Sequence, residues 1–335
     1  MHKQIISGEL IMHSRIVGFV AVVLISVFAG LTGASAQNNF SYVSSAGNDA
    51  NSCTFASQCR TFQRAHDQTN DSGIVQALDA VADFGPVTIT KGIRISGMGD
   101  NNPGQRAYIT VTSGSAITIN APANKGVTLV NLELRGSGTG DNGVLFNTGG
   151  LLQIYGSSIY GFGAASPYGH GVKFAPSAFS RLAIFGSNIS GNGTATTGSA
   201  VQVNPGSGGG AQVDLTNITA YNNAFGLAID TSGSSAGVSA VIHGGVMQFN
   251  RQDGVVIVSG APIGVTLDNN ALMMGNTGYG VRAIGAGANI RLNQATITAN
   301  ATGVAGVSGG VVSSYGNNSV DGNTTNGTMT IIPLK

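Results

Sequence analysis

Residues 225–257 read FGLAIDTSGSSAGVSAVIHGGVMQFNRQDGVVI and span slightly more than one period of a repeat. Gly226 and Gly254 each lead an apolar alternation, Leu227/Ile229 in one case and Val255/Ile257 in the other. A spacing of two places side chains on the same face of a strand. Working outward, the signature returns as NGVLF at Asn142, HGVKF at His170, GSAVQV at Gly198, YGVRA at Tyr279, TGVAG at Thr302 and NGTMTI at Asn326. The leading column runs 143, 171, 199, 226, 254, 280, 303 and 327, with Ser199 as its one non-glycine member. Its steps fall between 23 and 28 residues, a period that implies stacked units.

A second column precedes the first in each unit. It consists of the apolar pairs Val127/Leu129, Leu152/Ile154, Leu182/Ile184, Val213/Leu215, Ala240/Ile242, Val265/Leu267 and Ile290/Leu292. A third column holds Leu134, Ile159, Ile189, Met247, Leu272 and Ile297, followed by Asn/Gly turns such as SGNG at Ser190 and TANA at Thr298. Each repeat therefore carries about three short strands separated by turns. The units are rich in Gly, Val, Ile, Thr and Asn, which excludes a helical repeat on propensity. A propeller would need about four strands per blade and longer repeats. The reading is an all-β solenoid of one coil per repeat, whose coils cannot bury their apolar faces singly and must fold as one stack.

Such a stack has to hide its ends, because an open coil exposes unpaired backbone groups. RTFQRAHDQ, from Arg60, spaces Phe62, Ala65 and His66 as a short amphipathic capping helix. GPVTITKGIRISG from Gly85, AYITVTS from Ala107 and SAITINAP from Ser115 read as strands of early, less regular coils, and TMTIIPLK from Thr328 is a thinner C-terminal cover. The expected organisation is a signal peptide over 1–36, a cap with irregular coils over 37–125, and regular coils over 126–335.

The leader is read from IVGFVAVVLISVFAGL after Arg15, which ends in Ala34-Ser35-Ala36 and places cleavage before Gln37. Met12 is the better-proportioned start. Its apolar run is shorter than the roughly 20 residues of a membrane span, so no stable anchor is expected after cleavage, and the mature chain would be secreted, periplasmic or at the cell surface. Loss of Lys3, Arg15 and Glu9 from totals of 15 basic and 14 acidic residues leaves 13 of each. A neutral chain with 9% charged residues lacks the cationic face that nucleic acid demands. Export makes a disulfide the better reading of Cys53 and Cys59, the only cysteines, pinning a local turn. A metal site there would need more ligands, and His66 is the only nearby one.

With these residues in place, the chain resembles secreted bacterial right-handed parallel β-helix proteins of the pectin-lyase-like superfamily. The resemblance rests on YVSSAGNDANSCTFASQCRTFQRAHDQT from Tyr42, GPVTITKGIRI from Gly85 and the glycine-led coils, essentially the whole mature chain. It implies a single-stranded right-handed parallel β-helix with a short N-terminal capping helix. IVQALDAVADFGPV from Ile74 departs from the pattern, where a smoother strand and a glycine-rich turn would be expected. Members of the superfamily include polysaccharide lyases, glycoside hydrolases and adhesins, so the scaffold does not fix a function.

Chemistry has to be sought residue by residue. Hydrolysis of the polygalacturonase kind needs paired carboxylates, but no adjacent Asp-Asp pair occurs and Glu133 is the only glutamate beyond the leader. Gly169-His170-Gly171 matches a short motif of that family, although Gly171 belongs to the repeat column. Lyase chemistry would call for an acidic Ca²⁺ cluster and a base, while the aspartates at 214, 230, 253 and 268 are scattered. Repeat register sets Asp268 beside His243 of the previous coil, with Asn293 in the next and Arg251 and Asp253 in a nearby turn. The pair His243 and Asp268 is the one catalytic candidate, against a plain solvated ladder. Val130, Tyr155 and Phe185 share the same outward column, a strip suited to sugar rings unless GFGAASPY, from Gly161, folds over it. The expectation is an exported scaffold binding polysaccharide or another cell-surface glycan without metal, cofactor or evident catalysis. A polysaccharide lyase or glycoside hydrolase, with Ca²⁺ under the lyase reading, is the alternative.

Overall fold

The computed structural model describes residues 37–98 and 106–333. The expected leader over 1–36, its cleavage site and the choice of start codon lie outside the described residues.

Three parallel sheets run the length of the domain. The first has 12 strands, from Asn38–Val43 to Thr330–Ile331; the second has nine, from Ala107–Thr110 to Ser319–Val320; the third has ten, from Val87–Ile89 to Thr325–Gly327. One coil is formed by Leu151–Tyr155 in the first sheet, Ser158–Tyr160 in the second and His170–Phe174 in the third. Each strand pairs in parallel with its counterpart one coil away, so the chain is a right-handed parallel β-helix.

The apolar pairs stack in the expected register. Leu152 lies across from Val127 and Leu182, Ile154 lies across from Leu129 and Ile184, and the ladder continues to Ile290 and Leu292. All of these side chains are buried. Upstream, Ile93 and Ile95 extend the ladder onto Gly73 and Val75.

The other two columns need correction. Gly171 lies across from Ala200, not Ser199, and Gly303 lies across from Asn326, not Gly327. Ser199 instead stacks between His170 and Phe225. In the third column Met273, not Leu272, lies between Met247 and Ile297, and Ala220 fills the gap between Ile189 and Met247. Packing explains why the leading column is glycine. A Cβ at Gly143, Gly171 or Gly280 would come within 2.4 Å of the inward isoleucine of the following coil, Ile159, Ile189 or Ile297. The alanine at 200 stands in the one coil where that following residue is itself alanine, Ala220.

The corners explain why the coils stay in step. After six consecutive first-sheet strands one residue takes a left-handed conformation: Asn131, Gly156, Gly186, Asn217, Gly244 and Asn269, with φ between 50° and 63°. Asparagine and glycine tolerate that region best. At the second corner Asn192, Asn223, Asn250, Asn276 and Asn300 form a buried ladder. From Asn223 onward, the side-chain Oδ1 accepts the backbone N–H of the asparagine one coil earlier, at 3.0–3.1 Å. Each Nδ2 donates to the next Oδ1 and to a second-sheet carbonyl of the coil before.

The ends are treated unequally. Helix α1, Phe62–Gln68, buries Phe62, Ala65 and His66 and is capped by Thr61, whose hydroxyl accepts the Arg64 N–H. Cys53 and Cys59 are disulfide-bonded with Cα atoms 4.7 Å apart, and their turn pairs with the first strand through Tyr42, Val43 and Ser44. The irregular stretch from Ile74 is ordered: Ile74–Ala77 completes a strand, and Phe84 turns into the core while its N–H donates to Tyr108. At the other end Thr330–Ile331 pairs with Ser313 and Ser314, yet Ile331 remains 67% exposed.

Replacing Asn250 with alanine strips the partner from the Asn223 N–H at a fully buried corner, while Asn276 Oδ1 keeps the backbone N–H of residue 250. At ~1–3 kcal/mol for a stranded buried group, we expect a loss of about 1–3 kcal/mol in urea unfolding followed by circular dichroism. Asn323→Ala, at the exposed end of the ladder, is expected to cost under ~1 kcal/mol.

Candidate functional site

Alternation leaves the first sheet with an outward grid. Successive strands present Leu151, Gln153 and Tyr155; Arg181, Ala183 and Phe185; Gln212, Asp214 and Thr216; Ser239, Val241 and His243; Gly264, Thr266 and Asp268; then Asn289 and Arg291. Residues far apart in sequence become neighbours because each coil advances the chain by a single strand spacing.

Three recesses lie along this face. One of about 510 Å³ is bordered by Arg94, Arg106, Val130, Asn131 and Tyr155. A second of about 370 Å³ is floored by Arg181, Gln212, Asp214, Ser239, Val241 and His243. The third, about 690 Å³, lies at the C-terminal end around Thr266, Asn289, Arg291, Ser313 and Tyr315.

Tyr155 and Phe185 meet as expected. Their rings stack with centroids 5.0 Å apart and planes 11° from parallel, both half-buried. The Tyr155 hydroxyl accepts from Gln153 Nε2 at 2.8 Å. Val130 shares their column but is 8% exposed, so the aromatic strip is shorter than the sequence implied. The turn from Gly161 does not cover it. That segment bonds instead to the turns around Gly136–Gly140 and Gly193, and it buries Phe162.

His243 and Asp268 are paired. Nδ1 lies 2.8 Å from Asp268 Oδ1, while Nε2 is 2.9 Å from the Asn269 side-chain amide. Both side chains reach solvent, at 46% and 27% exposure, which leaves them open to a ligand. Arg251 and Asp253 do not join them. Arg251 donates to the carbonyls of Asn192, Gly193, Thr194 and Asn222, stapling the second corner across several coils. Asp253 is buried there, bound to Arg282 and to the Tyr279 N–H, and burial pushes its carboxyl up. The misplacement is one of corners: these residues follow the second-sheet strand, whereas His243 ends a first-sheet strand.

The remaining candidates are structural in their contacts. His170 sits in the third sheet, 7% exposed, with Nδ1 2.9 Å from Ser199 Oγ. Asp214 accepts from Thr216, and Asp230 caps the Ser232 N–H. Glu133 lies on the second sheet, held by Tyr160 and Arg135, whose guanidinium stacks on Tyr108. His66 accepts the Thr90 N–H, and the disulfide leaves no thiolate beside it. Among the described residues no three His, Cys, Asp or Glu side chains cluster closely enough to hold a metal ion. Sequence reading passed over Arg181, Asn289 and Arg291. The register held the signal, since each stands one or three positions before an inward leucine or isoleucine of the apolar pair.

No family model and no curated protein matches the sequence. Among solved structures, the crystal structure of pectate lyase Pel9A superposes with a TM-score of 0.52 over 88% of this chain and 78% of that chain, at 12% identity. The protein has the pectin-lyase-like right-handed β-helix fold. At that identity the likeness speaks for the architecture, and the chemistry of this β-helix has to be argued from its own outward face. Among its described residues, no helix is long and apolar enough to cross a membrane.

Burial, with Lys173 as a second contributor, lowers the His170 pKa from 6.5 to about 4. The folded state therefore needs the neutral ring. Stability is full above pH 6.5 and declines as pH falls towards about 4, by on the order of 3 kcal/mol. Urea midpoints across that window should fall for the native chain. They should fall less steeply for His170→Asn, which copies the Asn142 that occupies this position one coil earlier, the remaining slope coming from His66, whose pKa burial also lowers.

Proposed function

We propose that the protein is an exported, non-catalytic scaffold that binds a polysaccharide or another cell-surface glycan on the outward face of its first sheet. The observation that carries this reading is the stacked, half-buried Tyr155–Phe185 pair at the rim of a recess with Arg94 and Arg106. Flat aromatic rings take the apolar face of a sugar, while guanidinium and amide groups beside them bond its oxygens. The pair lies on a sheet whose strands are locked by their neighbours above and below, so the platform is rigid before a ligand arrives. Sparse carboxylates on the same face favour binding over turnover.

A second reading has its own observation. The 2.8 Å contact between His243 and Asp268 is the arrangement in which a carboxylate orients an imidazole as a base. On a polyuronate, such a base would remove the proton beside the carboxyl group, and the face would act as a lyase. The alternative of hydrolysis needs a second carboxylate as acid, and Asp214, the other acid on this face, is bonded to Thr216.

A glycan array probed with the mature chain, paired with product assays on polyuronates and neutral glycans with and without Ca²⁺, separates the two. Binding should occur with no ultraviolet-absorbing product and no new reducing ends. Tyr155→Ala and Phe185→Ala should each weaken it roughly tenfold, equivalent to ~1.4 kcal/mol. Product release that disappears in the His243→Ala/Asp268→Ala double variant would replace the binding reading with the catalytic one.

A further inference from the structure

The second corner holds a conformation that the fold does not account for. After six consecutive second-sheet strands the residue just before the ladder asparagine takes the left-handed region: Gly191, Asn222, Phe249, Gly275, Ala299 and Gly322, with φ between 53° and 70°. Five of these are glycine, asparagine or alanine. Phe249 is the exception, and a bulky residue is strained there because its Cβ crowds the backbone. Burial does not offset the strain, since Phe249 is 51% exposed. Its ring lies along the next coil. A Cβ at Gly275 would stand 2.6 Å from the ring's Cε1, so that glycine gives the ring a flat seat. Strain retained at an exposed aromatic points to a role outside the fold.

The surroundings of the ring say what it could hold. Gln248 precedes it on the outward side of the second sheet, and Asn222 stands one coil earlier in the corner column. Both reach solvent, and among the described residues neither side-chain amide has a hydrogen-bond partner. Arg251, the charged side chain of this turn, is spent on the carbonyls of Asn192, Gly193, Thr194 and Asn222. From Ser158 to Ser319 the outward positions of the second sheet carry no charge at all. An ionic ligand therefore finds no counter-charge here. A flat ring edged by amides that both donate and accept fits a neutral pyranose, whose C–H face packs on an aromatic and whose hydroxyls use both kinds of bond.

We propose that Phe249, with Gln248 and Asn222, forms a separate binding site for a neutral sugar ring at the corner between the second and third sheets. The site is not an extension of the first-sheet face: within one coil the strand Val246–Gln248 lies between His243 and Phe249. It does not require that face to bind anything. The left-handed backbone has a task in this arrangement, because it turns the ring out of the corner and onto the seat at Gly275 instead of into the core.

The test is calorimetric titration of the full chain with cellotriose, mannotriose, xylotriose and, as the charged control, trigalacturonate. It is run on the native chain and on the Tyr155→Ala/Phe185→Ala variant, which lacks the first-sheet pair. At least one neutral trisaccharide should still bind that variant. Adding Phe249→Gly should then weaken it roughly tenfold or more, Phe249→Tyr should keep it, and any binding of trigalacturonate should be indifferent to both. Glycine adopts the left-handed region without strain, so the urea midpoint of Phe249→Gly should equal or exceed the native one, which separates lost binding from lost folding. If every neutral trisaccharide stops binding once Tyr155 and Phe185 are removed, the corner site is overturned and the first-sheet reading stands. Binding that survives in that variant but ignores Phe249→Gly also overturns the site. Absence of neutral-sugar binding to the native chain does the same.

Discussion

The interaction on which the rest of the structure depends is the hydrogen bond from one coil's corner to the next coil's asparagine. A parallel strand pair cannot close through a tight hairpin, so every coil must turn three corners and leave their backbone groups satisfied inside a narrow solenoid. At the second corner the asparagines from Asn192 to Asn300 do this with one side chain per coil, bonding the N–H of the corner before and a carbonyl of the second sheet. Since each amide reaches its neighbour only when the coils are aligned, the ladder also fixes register. A slip of one residue would carry Leu152, Ile154 and their counterparts to the outside. Before Asn192 the ladder ends at Phe162, whose N–H still donates to the Asn192 Oδ1 while its ring fills the interior.

Register is also what turns a repetitive chain into a surface with chemistry. Inward positions are confined to a few apolar residue types by packing, and the corners are confined by hydrogen bonding and by left-handed backbone. The outward positions of the first sheet escape both constraints. There the residues differ from coil to coil, with leucine, arginine, glutamine, serine, glycine and asparagine in one column alone. Variation on a fixed grid lets a solenoid carry a site without disturbing its core, and it explains why likeness of fold to a lyase transfers no catalytic residue.

Much of this was legible in the sequence, because period-two alternation recurring every 23 to 28 residues admits few architectures. The inward pairs and the juxtapositions of Tyr155 with Phe185 and of His243 with Asp268 follow from counting along that period, while the capping helix is legible in the three- and four-residue spacing of Phe62, Ala65 and His66 and the disulfide turn in the two cysteines. The leading column was misaligned at Ser199 because glycine was taken as its defining feature, whereas the structure demands only that a small residue face a bulky one in the following coil. Ala200 over Ala220 meets that demand by shrinking both. Arg251 and Asp253 were assigned to the wrong corner because proximity in sequence does not distinguish which side of a short second-sheet strand a turn lies on. Arg291 and Asn289 are legible only through the inward pair Ile290 and Leu292, whose register sets both on the outward face.

The same logic bears on whether His243 and Asp268 work as a catalytic pair or as part of a polar ladder. A base for proton abstraction gains from exclusion of water and from a charge arranged to receive what develops on the substrate. Here the imidazole is nearly half-exposed and its second nitrogen already meets the Asn269 amide, while the guanidinium groups of this face stand at other coils, Arg181 two strands before His243 and Arg291 two strands after it. That arrangement spreads positive charge along the sheet rather than gathering it at one point. The corner residues beside the pair are Gly244 and Asn269, and the imidazole and carboxylate between them stay open to water. Exposure of that kind weighs against a base that must work in a shielded site, and it weighs for the proposed reading of the face as a binding surface.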